Sequence, residues 1–271
     1  MASSWRSARN APRSSRLVDA TVVRPDVYFS YLTGALWAVA FTLYGVRMAS
    51  HGAVHNDRVS KLGGAGLVSR GIMDATYWAI EPVVRGLAAM GITPNGLTWS
   101  ALVLGLGAGA AIMFGWFGLA CLLATMSTVG DILDGQLARL TQSGSNRGEL
   151  LDAAVDRYTE FAFLAGVALV VRTSAWQLGL VLAAILASFM ISYASAKADA
   201  LQVPSPRGLM RRHERSFFLI IGAGLVPLIG PTLETHGWPY VTPSLVAVGI
   251  VTVIGNPAAV LRLVRIGRAL R

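Results

Sequence analysis

Seven predominantly apolar stretches, 28–46, 97–115, 117–137, 150–171, 175–196, 216–233 and 241–260, each come close to the roughly 20 residues a helix needs to cross a bilayer. Inside lipid the backbone must satisfy its own hydrogen bonds, and near-continuous apolar runs of this length do so as helices. With 54% hydrophobic and only 14% charged residues, the composition excludes a soluble globule. The fold class expected is therefore an all-α integral membrane protein.

Six of the runs, from 97 onward, are joined by connections too short to hold separate domains, such as Gly115–Gly118 and Arg172–Ser174. The 28–46 run stands apart as an extra N-terminal hydrophobic helix, preceded by a basic, disordered tail over 1–27. Between it and the six-helix unit, residues 69–91 place Ile72, Ala75, Ala79, Val83 and Leu87 at helical spacing, the pattern of an amphipathic helix on the membrane surface. The turn ITPNGLT at 92–98 then starts the first core helix. The domain plan is tail 1–27, extra helix and linker 28–68, membrane domain 69–262 and basic tail 263–271.

A net charge of +9 raises the question of nucleic acid, but Lys and Arg gather at the ends of apolar runs and not along a soluble face. Arg139 and Arg147, then Lys197, Arg207, Arg211, Arg212 and Arg215, then Arg262, Arg265, Arg268 and Arg271 all fall on one side, against Arg172 and Glu234 on the other. The positive-inside rule puts the basic side in the cytoplasm. The orientation of the first helix stays open, because both of its flanks are basic. The lone Cys121 lies in an apolar run and reads as a packing residue.

Against this background the stretch GDILDGQLARLTQSGSNRGELLDAAVDR stands out, because a chain with 14 acidic residues places Asp131, Asp134, Asp152 and Asp156 between apolar segments. Spacings of three and four put each pair on one helix face, and the polar turn TQSGSNRG folds the two faces together. Two carboxylates about 6 Å apart repel by roughly 3 kcal/mol at an effective dielectric of 20, so the cluster needs cations. Arg139, Arg147 and Arg157 offer some charge. Oxygen ligands without His or Cys suit Mg2+ or Mn2+, and such sites hold diphosphates. Asp156 lies about two turns past Glu149, on the order of 10 Å into the membrane, where lipid and water-soluble substrates meet. Glu149 reads as an acid complementing a helix N-terminus and Glu160 as a satisfied interior acid.

These residues resemble the signature of the CDP-alcohol phosphotransferases: two aspartates, a glycine, Ala-Arg, a second glycine and two further aspartates. Here the positions are Asp131, Asp134, Gly135, Ala138, Arg139, Gly148, Asp152 and Asp156, with every spacing matched. The resemblance runs from about 69 to 260 and implies the six-transmembrane-helix core of that family. It implies metal ligation by Asp131, Asp134, Asp152 and Asp156, two ions of Mg2+ or Mn2+, with Asp156 as general base. It also implies a CDP site at Gly135, Ala138, Arg139 and Gly148. The implied reaction is attack of an alcohol on the lipid-side phosphorus of CDP-diacylglycerol with release of CMP, in a homodimer of a bacterial plasma membrane and with a cytoplasmic active site.

For the acceptor, KADALQVPSPRGLMRRHER at 197–215 reads either as loop charge or as a phosphate pocket of Lys197, Arg211, Arg212 and Arg215. SYASAKAD, at 192–199, resembles the matching stretch of bacterial phosphatidylinositol phosphate synthases, although Ser195 and a single Lys197 stand where that version is richer in arginine. The expected acceptor is inositol 1-phosphate, then glycerol 3-phosphate, ahead of free inositol or serine. An intramembrane prenyltransferase would need a second aspartate-rich motif, and after Glu160 only Asp199, Glu214 and Glu234 remain. A cation transporter would need polar groups across the full membrane depth. His213 reads as a solvated residue, and Asn95 and Thr98 as either nucleotide neighbours or a helix cap and turn.

Overall fold

In lipid, helices gain nothing from hiding one apolar face from another, so small residues that let backbones touch decide which helices pair. The computed structural model describes residues 25–51, 70–204 and 208–270, with backbone alone for residues 51 and 70–77. Residues 1–24 of the expected tail, the 52–69 linker, Arg207 and Arg271 lie outside the described residues, as do the side chains of Ile72 and Ala75. Among the described residues there are eight helices and no strand. They are α1 (Pro25–His51), α2 (Arg70–Ala89), α3 (Pro94–Met113), α4 (Phe117–Leu140), α5 (Asn146–Val170), α6 (Ala175–Ala200), α7 (Arg212–Thr235) and α8 (Thr242–Ala269).

Six of these, α1, α3, α4, α6, α7 and α8, are long and apolar enough to cross a membrane, and the chain is an integral membrane protein. The run expected at 150–171 forms α5, but Asp152, Asp156, Arg157 and Glu160 keep its composition below that of its neighbours. These charges are sheltered because α5 packs against α3 and α6.

The α3–α5 contact is made by glycines. A Cβ on Gly109 would stand 2.3 Å from the Ala162 carbonyl oxygen, and one on Gly166 would stand 2.4 Å from the Gly109 oxygen. The GLGAGAA stretch is thus a helix-packing surface, as its composition indicates. On the other side of α3, Ser127 of α4 donates to the Ala101 carbonyl at 2.7 Å. A shared core of Ile112, Phe117, Leu164, Val181, Val226 and Val248 fills the half of the bundle away from the aspartates.

Direction follows from these contacts. α3, α5 and α7 begin at the aspartate end, while α4, α6 and α8 finish there, as the Thr98–Asp134, Arg212–Asp131 and Arg262–Ser195 bonds require. The basic 197–215 segment and the arginines of the last helix therefore share the end that carries the carboxylates.

α1 is tied to the opposite end. The buried Asp26 carboxylate accepts from the Gly118 and Leu119 amides at 2.9 Å each, satisfying two first-turn donors of α4, whose N-cap Trp116 makes no side-chain bond. The helix then runs beside α4 towards α2, where Tyr44 meets Trp78 at 6.1 Å and the Arg47 guanidinium lies 5.7 Å from the same ring. At 27 residues, about 40 Å, it has the length to cross. This resolves the course that its two basic flanks left open.

α2 forms over the expected segment, but its buried stripe is Ile80 and Val84, with Leu87 half-buried and Val83 exposed. The inner face is thus turned by about one residue from the 79, 83, 87 series, because α1 and α4 approach from that side.

Replacing Gly109 by leucine is expected to push α3 from α5, at a cost of at least about 1–3 kcal/mol. Thermal unfolding of the detergent-purified variant measures it, and an unchanged midpoint would refute the glycine contact.

Candidate active site

Asp131, Asp134, Gly135 and Ala138 share one face of α4, and Asp152 and Asp156 one face of α5, so the site follows from how the two helices are joined. The joint is short. α4 ends at Thr141, Gln142 adopts a left-handed φ of 51°, and Ser145 caps α5 by accepting from the Gly148 amide at 3.1 Å. Glu149 sits in that first turn, where a carboxylate complements the helix dipole.

The hairpin brings Asp131, Asp152 and Asp156 together, with one carboxylate oxygen from each lying within 4.8 Å of the other two. Small side-chain rotations close that spread on an ion with ligands at about 2.1 Å. Asp156 is buried and the other two are half-buried. Asp152 Oδ1 is buried with no hydrogen-bond partner, an oxygen that folding has left without a donor. Three carboxylates with an unsatisfied buried oxygen, and no softer ligand in the trio, fit a hard divalent cation, Mg2+ or Mn2+.

Asp134 stands beside this trio and not in it. It is buried, and its Oδ2 lies 2.6 Å from the Thr98 hydroxyl, which also reaches the Pro94 carbonyl at 3.1 Å. The cap of α3 is instead Thr93, whose hydroxyl accepts from the Gly96 amide. Thr98 is therefore not the cap; it fixes the orientation of a site carboxylate. Asn95 does approach Gly148, its Oδ1 lying 3.4 Å from where a Cβ there would stand.

The counter-cation comes from across the bundle. Arg212, in the first turn of α7, donates to Asp131 Oδ2 at 2.7 Å, and its other Nη lies 2.5 Å from Asp156 Oδ1. The second contact falls outside hydrogen-bonding directions, so it is an ionic contact and leaves Asp156 Oδ1 without a hydrogen bond. Of the three local arginines, Arg157 lies 3.7 Å from Asp156 and bonds the Ala153 carbonyl. Arg139 folds over Gly135, its Nη1 lying 3.6 Å from where a Cβ would be. One guanidinium thus bridges two carboxylates of the trio, Asp131 and Asp156.

Arg215 departs from the acceptor role expected of it. Only 1% of its side chain is exposed; Nε and Nη2 meet the two Glu160 oxygens at 2.6 and 2.8 Å, and Nη1 donates to the Met210 carbonyl at 2.7 Å. A bidentate pair with every guanidinium nitrogen engaged clamps α7 to α5. Glu160 is the satisfied interior acid that its position predicts. Lys197 is exposed near the end of α6, Arg211 is half-buried, and His213 is exposed on the first turn of α7. One residue read as tail charge is buried instead: Arg262 of α8 donates to the Leu209 carbonyl at 3.0 Å and reaches Ser195 Oγ and the Gly208 carbonyl at 3.4 Å. It ties α6, α8 and the basic segment together beside the carboxylates.

The family model described as CDP-alcohol phosphatidyltransferase matches residues 91–254. The chain is 32% identical over 191 residues to the phosphatidylinositol phosphate synthase of Mycobacterium marinum, spanning 66% of this chain and 81% of that one. It superposes on the Mycobacterium tuberculosis phosphatidylinositol phosphate synthase with CDP-DAG bound at a TM-score of 0.59, with 24% identity over 68% of this chain and 92% of that one. The same enzyme in complex with manganese and citrate gives a TM-score of 0.61 at 24% identity, over 69% and 88% of the two chains. At that identity the two structures speak for the fold.

Three variants test this geometry. Thr98→Val is expected to weaken Mn2+ binding by about 10–100-fold, and Asp152→Asn to abolish the rise in melting temperature that Mn2+ produces; unaltered Mn2+ titrations would remove both roles. Glu160→Ala strands a buried guanidinium and is expected to destabilise the protein by about 3–5 kcal/mol. A variant of wild-type stability but altered acceptor KM would return Arg215 to the acceptor.

Proposed function

The chain belongs to the CDP-alcohol phosphatidyltransferase family, and we propose that it moves the phosphatidyl group of CDP-diacylglycerol onto a hydroxyl of inositol 1-phosphate. The observation that carries the reading is the carboxylate trio within 4.8 Å, flanked on the same helix faces by Gly135, Ala138, Arg139 and Gly148. Asp131, Asp152 and Asp156, with Asp134 beside them, would hold two divalent cations, which would supply the positive charge that a diphosphate needs.

The chain's own residues do the rest. Arg139, whose guanidinium lies over Gly135, pairs with the CDP diphosphate, and Gly135 and Gly148 leave room for the cytidine nucleotide against the two helices. Asp156 takes the proton of the acceptor hydroxyl as its oxygen attacks the lipid-side phosphorus. The bond from that phosphorus to the bridging oxygen breaks, and CMP leaves with the electron pair.

The acceptor phosphate is assigned to a pocket at the carboxylate end, where Lys197 stands near the end of α6 and Arg211 and Arg212 open α7. Arg215 is left out of this pocket because Glu160 holds it. A phosphorylated acceptor is favoured over free inositol or serine by this concentration of cations, and relatives named phosphatidylinositol phosphate synthase favour inositol over glycerol. The chain is assigned to a bacterial plasma membrane as a homodimer, with the carboxylate end in the cytoplasm because the basic residues gather there.

CMP release by the purified protein with CDP-diacylglycerol and Mg2+ or Mn2+ is expected with inositol 1-phosphate and not with inositol or serine. Release with glycerol 3-phosphate alone would rename the acceptor. Asp156→Asn is expected to abolish turnover while CDP-diacylglycerol still binds, and Arg211→Gln to raise the acceptor KM more than the donor KM.

A further inference from the structure

α1 lies ahead of the residues that the family model matches, yet it is fastened to the core at both ends. At its start the contact is close: a Cβ on Gly118 would stand 2.0 Å from the Asp26 carbonyl oxygen and 2.9 Å from Ser30 Oγ, so small residues let the two backbones touch. Further along, the inward side chains become large. Trp37 and Phe41 stack at 5.6 Å, and Tyr44 is buried against Trp78 of α2. Small residues at one end and aromatic ones at the other splay α1 away from α4. The result is a cleft of about 420 Å³ between α1, α2, α3 and α4, within the range of ligand sites.

Three properties of the cleft select its occupant. Its walls are almost wholly apolar, Leu36, Trp37, Leu104, Leu122 and Met126 among them, so no polar group or ion belongs there. On α4 it extends from Leu122 to Leu133, eleven residues and about 16 Å along the axis, close to half of the roughly 30 Å hydrocarbon core, the depth of one leaflet. At its end nearest the active site it is walled by Gly130 and Leu133, which flank Asp131 in sequence and precede Asp134, and by Leu97, next to Thr98.

From this we infer that α1 is the outer wall of a binding site for one acyl chain of the phosphatidyl donor. With the donor's phosphates at the carboxylates, a reading this inference rests on, one tail enters past Leu133 and Gly130 and lies between α1 and α4 for the depth of its leaflet. The aromatic residues of α1 confine it, so α1 determines which tails the enzyme accepts.

The intact chain in nanodiscs tests this by binding and by turnover. Trp37 forms the wall, so CDP-diacylglycerol brominated along its acyl chains is expected to quench a component of tryptophan emission that is absent in Trp37→Phe. Unbrominated CDP-diacylglycerol should reverse that quenching, and an equal excess of phosphatidylcholine should not. Leu36→Trp, which narrows the cleft away from the carboxylates, is expected to raise the donor KM severalfold for dioleoyl over dioctanoyl CDP-diacylglycerol. Leu32→Trp, on the same helix outside the cleft, should leave their ratio as in the wild type. Quenching without the Trp37 component, reversal by phosphatidylcholine as readily as by the donor, or an unchanged chain-length ratio in Leu36→Trp would overturn the inference. If CMP is released with no acceptor while the donor-specific quenching persists, it is the proposed reaction that fails and the acyl site that stands.

Discussion

Bringing carboxylates together in a low-dielectric bundle costs free energy that only cations can offset, and most of the architecture around the site meets that requirement. Asp131, Asp152 and Asp156 converge because the turn after Leu140 is only a few residues long, and the convergence would be disruptive without Arg212 arriving from a helix that begins 72 residues after Leu140. Arg212 can arrive only if the start of α7 is held against α5. The Arg215–Glu160 clamp does this one turn deeper, with both partners fully engaged. The two arginines, three residues apart on one helix, divide the labour: the inner is spent on structure and the outer faces the reacting groups.

The same dependence reaches α3. Thr98 orients Asp134 only because α3 lies close enough to α4 and α5 for a hydroxyl to bridge 2.6 Å to the carboxylate, and that closeness is the work of Gly109 and Gly166 deeper in the bundle. A packing surface with no chemistry of its own thus sets the geometry of a site about three turns away.

What was legible in the sequence follows from this physics. The aspartate set, its pairing on helix faces and the apolar helices were readable because they are local: spacings of three and four, and runs near 20 residues, carry their meaning without a partner. Glu160 was readable as satisfied, but its partner was not, because a contact spanning 55 residues leaves no local trace. For that reason Arg215 looked like a phosphate ligand, Arg262 looked like tail charge, and Arg212 was not seen as the counter-cation. In positive-inside loops an arginine's role is hidden by the abundance of its kind. The α2 face was misjudged by one residue because its hydrophobic pattern is broad, and the packing of α1 and α4 chose among neighbouring stripes.

α1 shows the opposite limit. Its composition announced a hydrophobic helix but its basic flanks gave no direction, and direction came from a single carboxylate. Asp26 sits at the start of α1, and the exposed amides of a helix N-terminus are a strong attractor for a carboxylate in an apolar setting, where no water competes. Once Asp26 occupies the first turn of α4, α1 must run alongside α4, small residues first and aromatic ones after. The splay between the two helices, and the apolar cleft it opens beside the carboxylates, are then consequences of side-chain size along one face.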